Sequence, residues 1–352
     1  MTRLLKYAAS LIMLAIMGAC ATPGIDYTAA IAPGNPQAAQ LRTVAVERFR
    51  GPLAGWYAEE FENMLKEARF DNQNWFQVGL FSRQSNVQGV YAGEVEIGRP
   101  YSDERYSSYS KCVKRDKETK KCVKKKKIEK VCIDYSIDVR VTPQLLNVAT
   151  GDIVHATTYT ASDSEQECFE TGHVEYRIRR GPNDRGRGKY KFAYEEYGRP
   201  GYRLGSDYII DRITASALRS TIWQARRDIA PYNREVRATI LTKAENQAVE
   251  ADPRFKQAVD GIKGNNFAFA CQTFSDLAED YADAPAVLHN LGACAEANGE
   301  SAAAQAYYGE AARSAQAMGA APAKRVVNAL ERISGTRSNE IILDTLVPEN
   351  TQ

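Results

Sequence analysis

The chain has 352 residues, enough for one large domain or two of ordinary size. Hydrophobic residues make up 44% and charged residues 26%, the balance of a globular protein rather than of a disordered or low-complexity chain. A formal net charge of +2 excludes a global basic field, so binding to a polyanion would need a local patch.

The first element in chain order is a targeting segment. Arg3 and Lys6 precede an apolar run, Leu11–Met17, and Gly18-Ala19 supply small residues directly before Cys20. The run is shorter than the roughly 20 apolar residues a membrane-spanning helix needs, so a cleaved signal is favoured over a transmembrane helix. An ordinary secretory signal with Cys20 incidental is the competing reading. The segment resembles a bacterial lipoprotein signal, with Met17-Gly18-Ala19-Cys20 as the lipobox. That resemblance implies that residues 1–19 are removed and that Cys20 carries diacylglycerol and an N-acyl chain such as palmitate. No Asp adjoins Cys20, which in Gram-negative lipoproteins implies the outer membrane. Cleavage would leave 44 basic and 44 acidic side chains.

Residues 20–40, rich in Ala, Pro and Gly, read as a flexible tether. Leu41–Phe49 alternates apolar and polar positions and reads as a strand. Trp56–Phe70 places Trp56, Phe61, Leu65 and Ala68 at helical spacing. Trp75–Phe81 and Val87–Ile97 read as further strands. Residues 98–130 form an inserted stretch dense in Tyr, Ser, Lys and Arg. Val131–Val148 is a long alternating strand, Ala149–Asp152 a turn, and Ile153–Ala161 the antiparallel return. Residues 165–204 form a second insertion. Ser206 opens a helix with Ile209, Ile213, Ala217, Ile222 and Trp223 on its apolar side, ended by Ala230-Pro231. Composition then shifts. The expected organisation is an α/β domain with a mixed sheet over residues 41–235, a linker at 236–251, an all-α helical domain over 252–335 and a tail at 336–352.

Seven cysteines in an exported chain suggest disulfides. With Cys20 assigned to lipid, Cys112, Cys122, Cys132, Cys168, Cys271 and Cys294 remain. A turn centred on 150–151 puts Cys132 and Cys168 within one position of facing each other, and one bulge brings them into register. Cys112 and Cys122 bracket the polar stretch Arg115–Thr119 and can bridge a second hairpin. Zinc is the competing reading for these four; nine residues separate Cys112, Cys122 and Cys132 in turn, and no His lies among them, whereas structural sites use C-x₂₋₄-C pairs.

Val44-Ala45-Val46, Val90–Val95, the hairpin Leu145–Val154 and the helix ending at Ala230-Pro231 resemble the curli-secretion-channel family. Its α/β core is shared with the N-terminal domain of TolB and with lipoprotein activators of penicillin-binding proteins. The resemblance implies a mixed-sheet α/β fold over about residues 41–232. The family's channel member inserts amphipathic hairpins into the outer membrane at the two places where this chain has insertions. Here residues 111–130 hold 11 Lys/Arg and 3 Asp/Glu. Lys124, Lys125, Lys126 and Lys127 put charge on both sides of a strand, at about 2–4 kcal/mol per residue at a bilayer midplane. The pore activity is therefore not expected to carry over.

Asn290-Leu291-Gly292, Asn298-Gly299-Glu300, Ala306-Tyr307-Tyr308 and Ala311 resemble a tetratricopeptide repeat, with a weaker copy at Gly264–Phe267, Ala270, Phe274 and Ala278 and a capping helix at Pro322–Ile333. The resemblance puts Cys271 and Cys294 on neighbouring helices, where they form a third bridge or pack as free thiols.

His155, His173 and His289 stand apart, and His155 reads as a strand surface residue. Gly181–Gly186 begins like a phosphate loop but continues Arg187-Gly188, not Lys then Ser/Thr. Glu59, Glu60 and Glu62 read as a solvated helix face. No enzyme, cofactor, metal or nucleic-acid site is expected. The basic insertion is either a solvated hairpin or a polyanion site on Lys124–Lys127, with Tyr101, Tyr106, Tyr109 and Tyr135 adding contact surface.

The expected function is a periplasm-facing, lipid-anchored outer-membrane adaptor or assembly factor that binds a protein partner through its helical repeats. The alternatives are a subunit of a ring-forming export complex and a binder of envelope polyanions.

Overall fold

The computed structural model describes residues 22–79, 86–170 and 206–347. In chain order these form β1 (Gly24–Ile31), α1 (Pro36–Gln40), β2 (Thr43–Arg50), α2 (Ala54–Glu67), β3 (Arg69–Phe70), β4 (Gln73–Asn74), β5 (Gln77–Val78), β6 (Gly89–Ile97), β7 (Tyr101–Arg115), β8 (Cys122–Asn147), β9 (Ile153–Ala156) and β10 (Tyr159–Glu170). There follow α3 (Ser206–Ile229), β11 (Tyr232–Thr239), α4 (Gln247–Ala251), α5 (Pro253–Lys263), α6 (Phe267–Asp280), α7 (Pro285–Ala297), α8 (Ser301–Ala317) and α9 (Lys324–Leu346). The chain divides into two compact units, Gln40–Ile229 and a second assembled from both chain ends, Met1–Ala39 with Ala230–Gln352.

The α/β unit is a mixed sheet in the order β10-β8-β6-β2-β5, with β7 and β9 also paired to β8. Strand β2 runs parallel to β5 and β6, and β8 is antiparallel to β6, β7, β9 and β10. The alternation in β8 explains which face is covered. Ile133, Tyr135, Ile137, Val139, Val141 and Leu145 are buried on the side where α3 packs, while Asp138, Arg140 and Gln144 are exposed. Helix α2 covers β2 and contributes to an aromatic knot, in which Phe49 lies 5.2 Å from Tyr57 and Phe61 lies 5.1 Å from Tyr91 between ring centres. Gly93 makes room for it: a Cβ there would stand 2.6 Å from the Phe49 ring and from the Thr142 carbonyl oxygen.

The helical unit has a two-stranded antiparallel sheet, β1 with β11, from Gly24 opposite Thr239 to Ile31 opposite Tyr232. Its helices pack in sequence, α5 on α6, α6 on α7, α7 on α8 and α8 on α9. Asp252 caps α5 by accepting from the Arg254 amide, with Pro253 at the first helical position. From Pro285 to Glu296, α7 is buried all round, which makes it the central helix of the unit.

Several expectations are corrected. Residues 20–40 are not a free tether, because β1 and α1 occupy most of the stretch. The partner of β1 lies some 200 positions away, outside the reach of local pattern. Residues 236–251 are not simply a linker, since β11 runs to Thr239 and α4 begins at Gln247. The tail at 336–352 is largely helix, as α9 continues to Leu346. Of the strand at 75–81, β5 takes Gln77 and Val78 while residues 80–81 lie outside the described residues, and the return strand breaks into β9 and β10. The first insertion is mostly strand: β8 starts at Cys122, not 131. Trp223, placed on the apolar side of α3, is 61% exposed. Of the second insertion, residues 171–204 lie outside the described residues, and with them His173 and the Gly181–Gly186 loop.

Candidate functional site: a basic ribbon and two buried polar clusters

Strands β7 and β8 continue past the end of β10 and form, among the described residues, a two-stranded ribbon. Lys111 stands opposite Lys126, Cys112 opposite Lys125, and Lys114 opposite Lys124. The turn at its tip is built by Asp116, whose Oδ1 accepts from the amides of Glu118 and Thr119 and from the Thr119 hydroxyl. Those hydrogen bonds, led by the Thr119 amide, hold the Asp116 carboxyl below its usual range. Lys120 adopts positive φ (58°) to close the turn, and the Cys112–Cys122 disulfide clamps it.

Charge along the ribbon is graded. Near its base Arg105 bridges to Asp134 at 3.1 Å, and Lys111 to Glu170 at 3.2 Å. Toward the tip, Lys114, Lys117, Lys120, Lys121, Lys124, Lys125 and Lys127 are exposed and make no ion pair among the described residues. Val113 (48% exposed) and Val123 (57%) lie among them.

Cys132 faces Cys168 directly and is bonded to it. The bulge that brings them into register lies where Leu145 faces His155 and Leu146 faces Ile153. Cys271 and Cys294 form the third disulfide, joining α6 to α7. The six described cysteines are thus paired with each other, and no group of three or more His, Cys, Asp and Glu among the described residues is placed to hold a metal ion. Cys20 lies outside the described residues. Glu60 pairs with Arg219 and Glu62 with Lys66 on an open helix face.

His155 departs from expectation: it is buried, not on the surface. Tyr159 donates its one hydroxyl proton to Asp228 at 2.7 Å, so His155 Nε2, 3.1 Å from that hydroxyl, carries the donated hydrogen. Its Nδ1 and the Tyr91 hydroxyl find no partner among the described residues. Burial lowers the His155 pKa, opposed by Asp228. The ring is therefore held neutral and ties β9 and β10 to α3.

The second cluster lies in the helical unit and was not foreseen. Arg332 donates to Glu296 from Nε at 2.5 Å and Nη2 at 2.7 Å, and the hydroxyls of Tyr27 and Tyr308 each donate to it at 2.6 Å. Burial pushes the Glu296 pKa up, but the hydrogen bonds from Arg332, Tyr27 and Tyr308 outweigh it and leave the carboxyl below its ordinary value. One carboxylate thus joins β1, α7, α8 and α9. Beside it His289, fully buried, donates from Nε2 to the Thr239 carbonyl at 2.9 Å, and Asn290 both donates to and accepts from the Leu241 backbone. The signal available in the sequence was a single carboxylate, Glu296, in a mostly apolar helix, Pro285–Ala297; a charge in that position needs a partner.

No helix among the described residues is long and apolar enough to cross a membrane. No protein-family model and no curated protein matches the chain. Solved structures similar to parts of it include the following two. A PelC dodecamer from Paraburkholderia phytofirmans is 17% identical with a TM-score of 0.21, over 40% of this chain and 83% of that one. A homolog of a neuraminyllactose-binding hemagglutinin from Helicobacter pylori is 14% identical with a TM-score of 0.24, over 56% of this chain and 88% of that one. At these values neither likeness bears on function.

Proposed function

We propose that this protein is a non-enzymatic, periplasm-facing lipoprotein of the outer membrane that acts as an adaptor or assembly factor. In this reading acylated Cys20 holds it to the membrane, and helices α5–α9 act as tetratricopeptide-like repeats that bind a protein segment. The carrying observation is the packing of α7 on α8. A Cβ on Gly292 would stand 2.7 Å from the Tyr308 ring, so a small residue on one helix seats a large aromatic on the next. Helix pairs of this kind stack into surfaces suited to binding extended segments. Phe269 on α6, Tyr307 on α8 and Val327 on α9 are large apolar side chains exposed on this unit.

Photo-crosslinking residues placed singly at Phe269, Tyr307 and Val327 in cells test the reading. A discrete protein adduct at one or more of these positions, absent from probes at Glu59 and Gln144 on the α/β unit, supports it; no adduct at any of the three rejects it. The mass of the lipidated protein in detergent, by light scattering, is the companion measurement. A closed ring of many copies would replace the adaptor reading with an export complex.

A further inference from the structure

We propose that the tip of the β7–β8 ribbon is a binding element for the anionic headgroup layer of a phospholipid membrane. The proposal is independent of the adaptor reading and of acylation at Cys20. It rests on the placement of charge.

Like charges directly opposite on paired strands destabilise a hairpin. This ribbon carries such a pair, Lys114 with Lys124. Among the described residues no acid forms an ion pair with Lys114 or Lys124. Asp116 is occupied with the turn, and Glu170 serves Lys111 and the Tyr109 hydroxyl at the base. Among the described residues the ion pairs therefore end where the ribbon's tip begins, leaving Glu118 exposed there among seven lysines. A disulfide holds the tip in shape in spite of the repulsion.

The occupant follows from the geometry. Successive strand residues point to opposite faces, so Lys124 and Lys125 lie on different sides of the ribbon, while Lys117, Lys120 and Lys121 circle its end. A flat acidic protein face could meet one side only. A layer of anionic headgroups into which the tip dips would meet both sides and the turn together. The exposed Val113 and Val123 suit the same medium, since apolar side chains flanked by lysines favour the boundary between headgroups and acyl chains. Each basic residue near an anionic surface adds about fivefold to partitioning.

The test is co-sedimentation of the full chain with phosphatidylcholine vesicles made with and without phosphatidylglycerol. Binding is read as the ratio between the two, and because Arg3 and Lys6 themselves favour the anionic arm, the tip's share is the difference between the full chain and its Ser variant. The expected result is a preference of tenfold or more for anionic vesicles, falling as NaCl rises. K124S/K125S/K127S is expected to cut that preference by about tenfold or more, while K124R/K125R/K127R keeps it. An intact Cys112–Cys122 bond by mass and an unchanged melting curve show that the Ser variant is folded. No preference for anionic vesicles overturns the proposal, as does an unaffected Ser variant. So does binding to inorganic polyphosphate without binding to vesicles, which would make the tip a site for soluble polyanions.

Discussion

Glu296 carries its charge where water does not reach, and its partners come from β1, α8 and α9. Removing one partner of such a pair costs about 3–5 kcal/mol, because the remaining charge is left buried and uncompensated. Arg332→Met is expected to lower stability by about that amount, and adding Glu296→Gln to recover part of it. Urea denaturation over the four-member cycle measures the coupling; purely additive single variants would show that the pair contributes none. His289 beside it adds a pH dependence. Burial, with smaller contributions from Arg332 and Arg325 against Thr239 and Glu296, pushes its pKa down from 6.5 to about 4. Between those values the unfolded chain binds a proton that the folded chain refuses. Stability is therefore full above pH 6.5 and is lost as pH falls toward 4, by up to about 3 kcal/mol. Glu296, held below its ordinary 4.5, extends the loss to lower pH. The drop in urea midpoint from pH 7 to pH 4 should shrink in His289→Leu; an unchanged drop would place the titration elsewhere. The sequence showed that Glu296 needs a partner but not which one, because Arg332 lies 36 and Tyr27 269 positions away, and Thr239 lies 50 positions from His289.

The three disulfides occupy different kinds of element, and their loss should register differently. Cys271–Cys294 closes a separation of 23 residues between packed helices of the helical core. In the loop-entropy account such a link contributes about 3 kcal/mol, so Cys271→Ser/Cys294→Ser should lower the denaturation midpoint of the protein. Cys112–Cys122 instead clamps a two-stranded ribbon, which is marginal without further strands or a packed helix. Cys112→Ser/Cys122→Ser should speed amide exchange over residues 109–127 and leave the midpoint nearly unchanged. A global loss in the second variant would mean that the ribbon belongs to the cooperative core. The pairing of Cys132 with Cys168 was legible because a turn fixes register and register fixes which residues face each other. The ribbon was legible as a hairpin bracketed by Cys112 and Cys122, but not in the length of its strands. Both its faces are polar, so there was no apolar alternation to read, and its β pairing shows only in the partner strand. β1 and β11 were missed for a different reason: a two-stranded sheet formed by distant segments gives neither segment a local signature.

At the scale of the molecule, the loss of the expected tether changes where the anchor acts. Only Ala21, Thr22 and Pro23 separate Cys20 from Gly24, the first residue of β1. Four residue steps reach at most about 14 Å. An acyl chain on Cys20 would therefore hold the helical unit, not a loosely tethered domain, at the bilayer. β1 in turn is fastened inside that unit by Tyr27 on Glu296 and by pairing with β11 along its whole length. The strand has a near end and a far end. Gly24 lies beside Thr239, whereas Ile31 lies beside Tyr232, about 24 Å along the strand. A fluorophore on Lys243→Cys, four residues past the near end, should therefore be quenched by headgroup-labelled lipid more strongly than one on Asn233→Cys at the far end. Both positions are exposed. In the Cys20→Ala chain the difference should vanish along with stable attachment. Equal quenching at the two sites in the lipidated protein would mean that the acyl group does not sit at Cys20, or that β1 leaves the helical unit when the protein meets the membrane. A Cys20→Ala chain that still attaches normally would remove acylation from the account, while leaving the ribbon's preference for anionic headgroups to stand or fall on its own measurement.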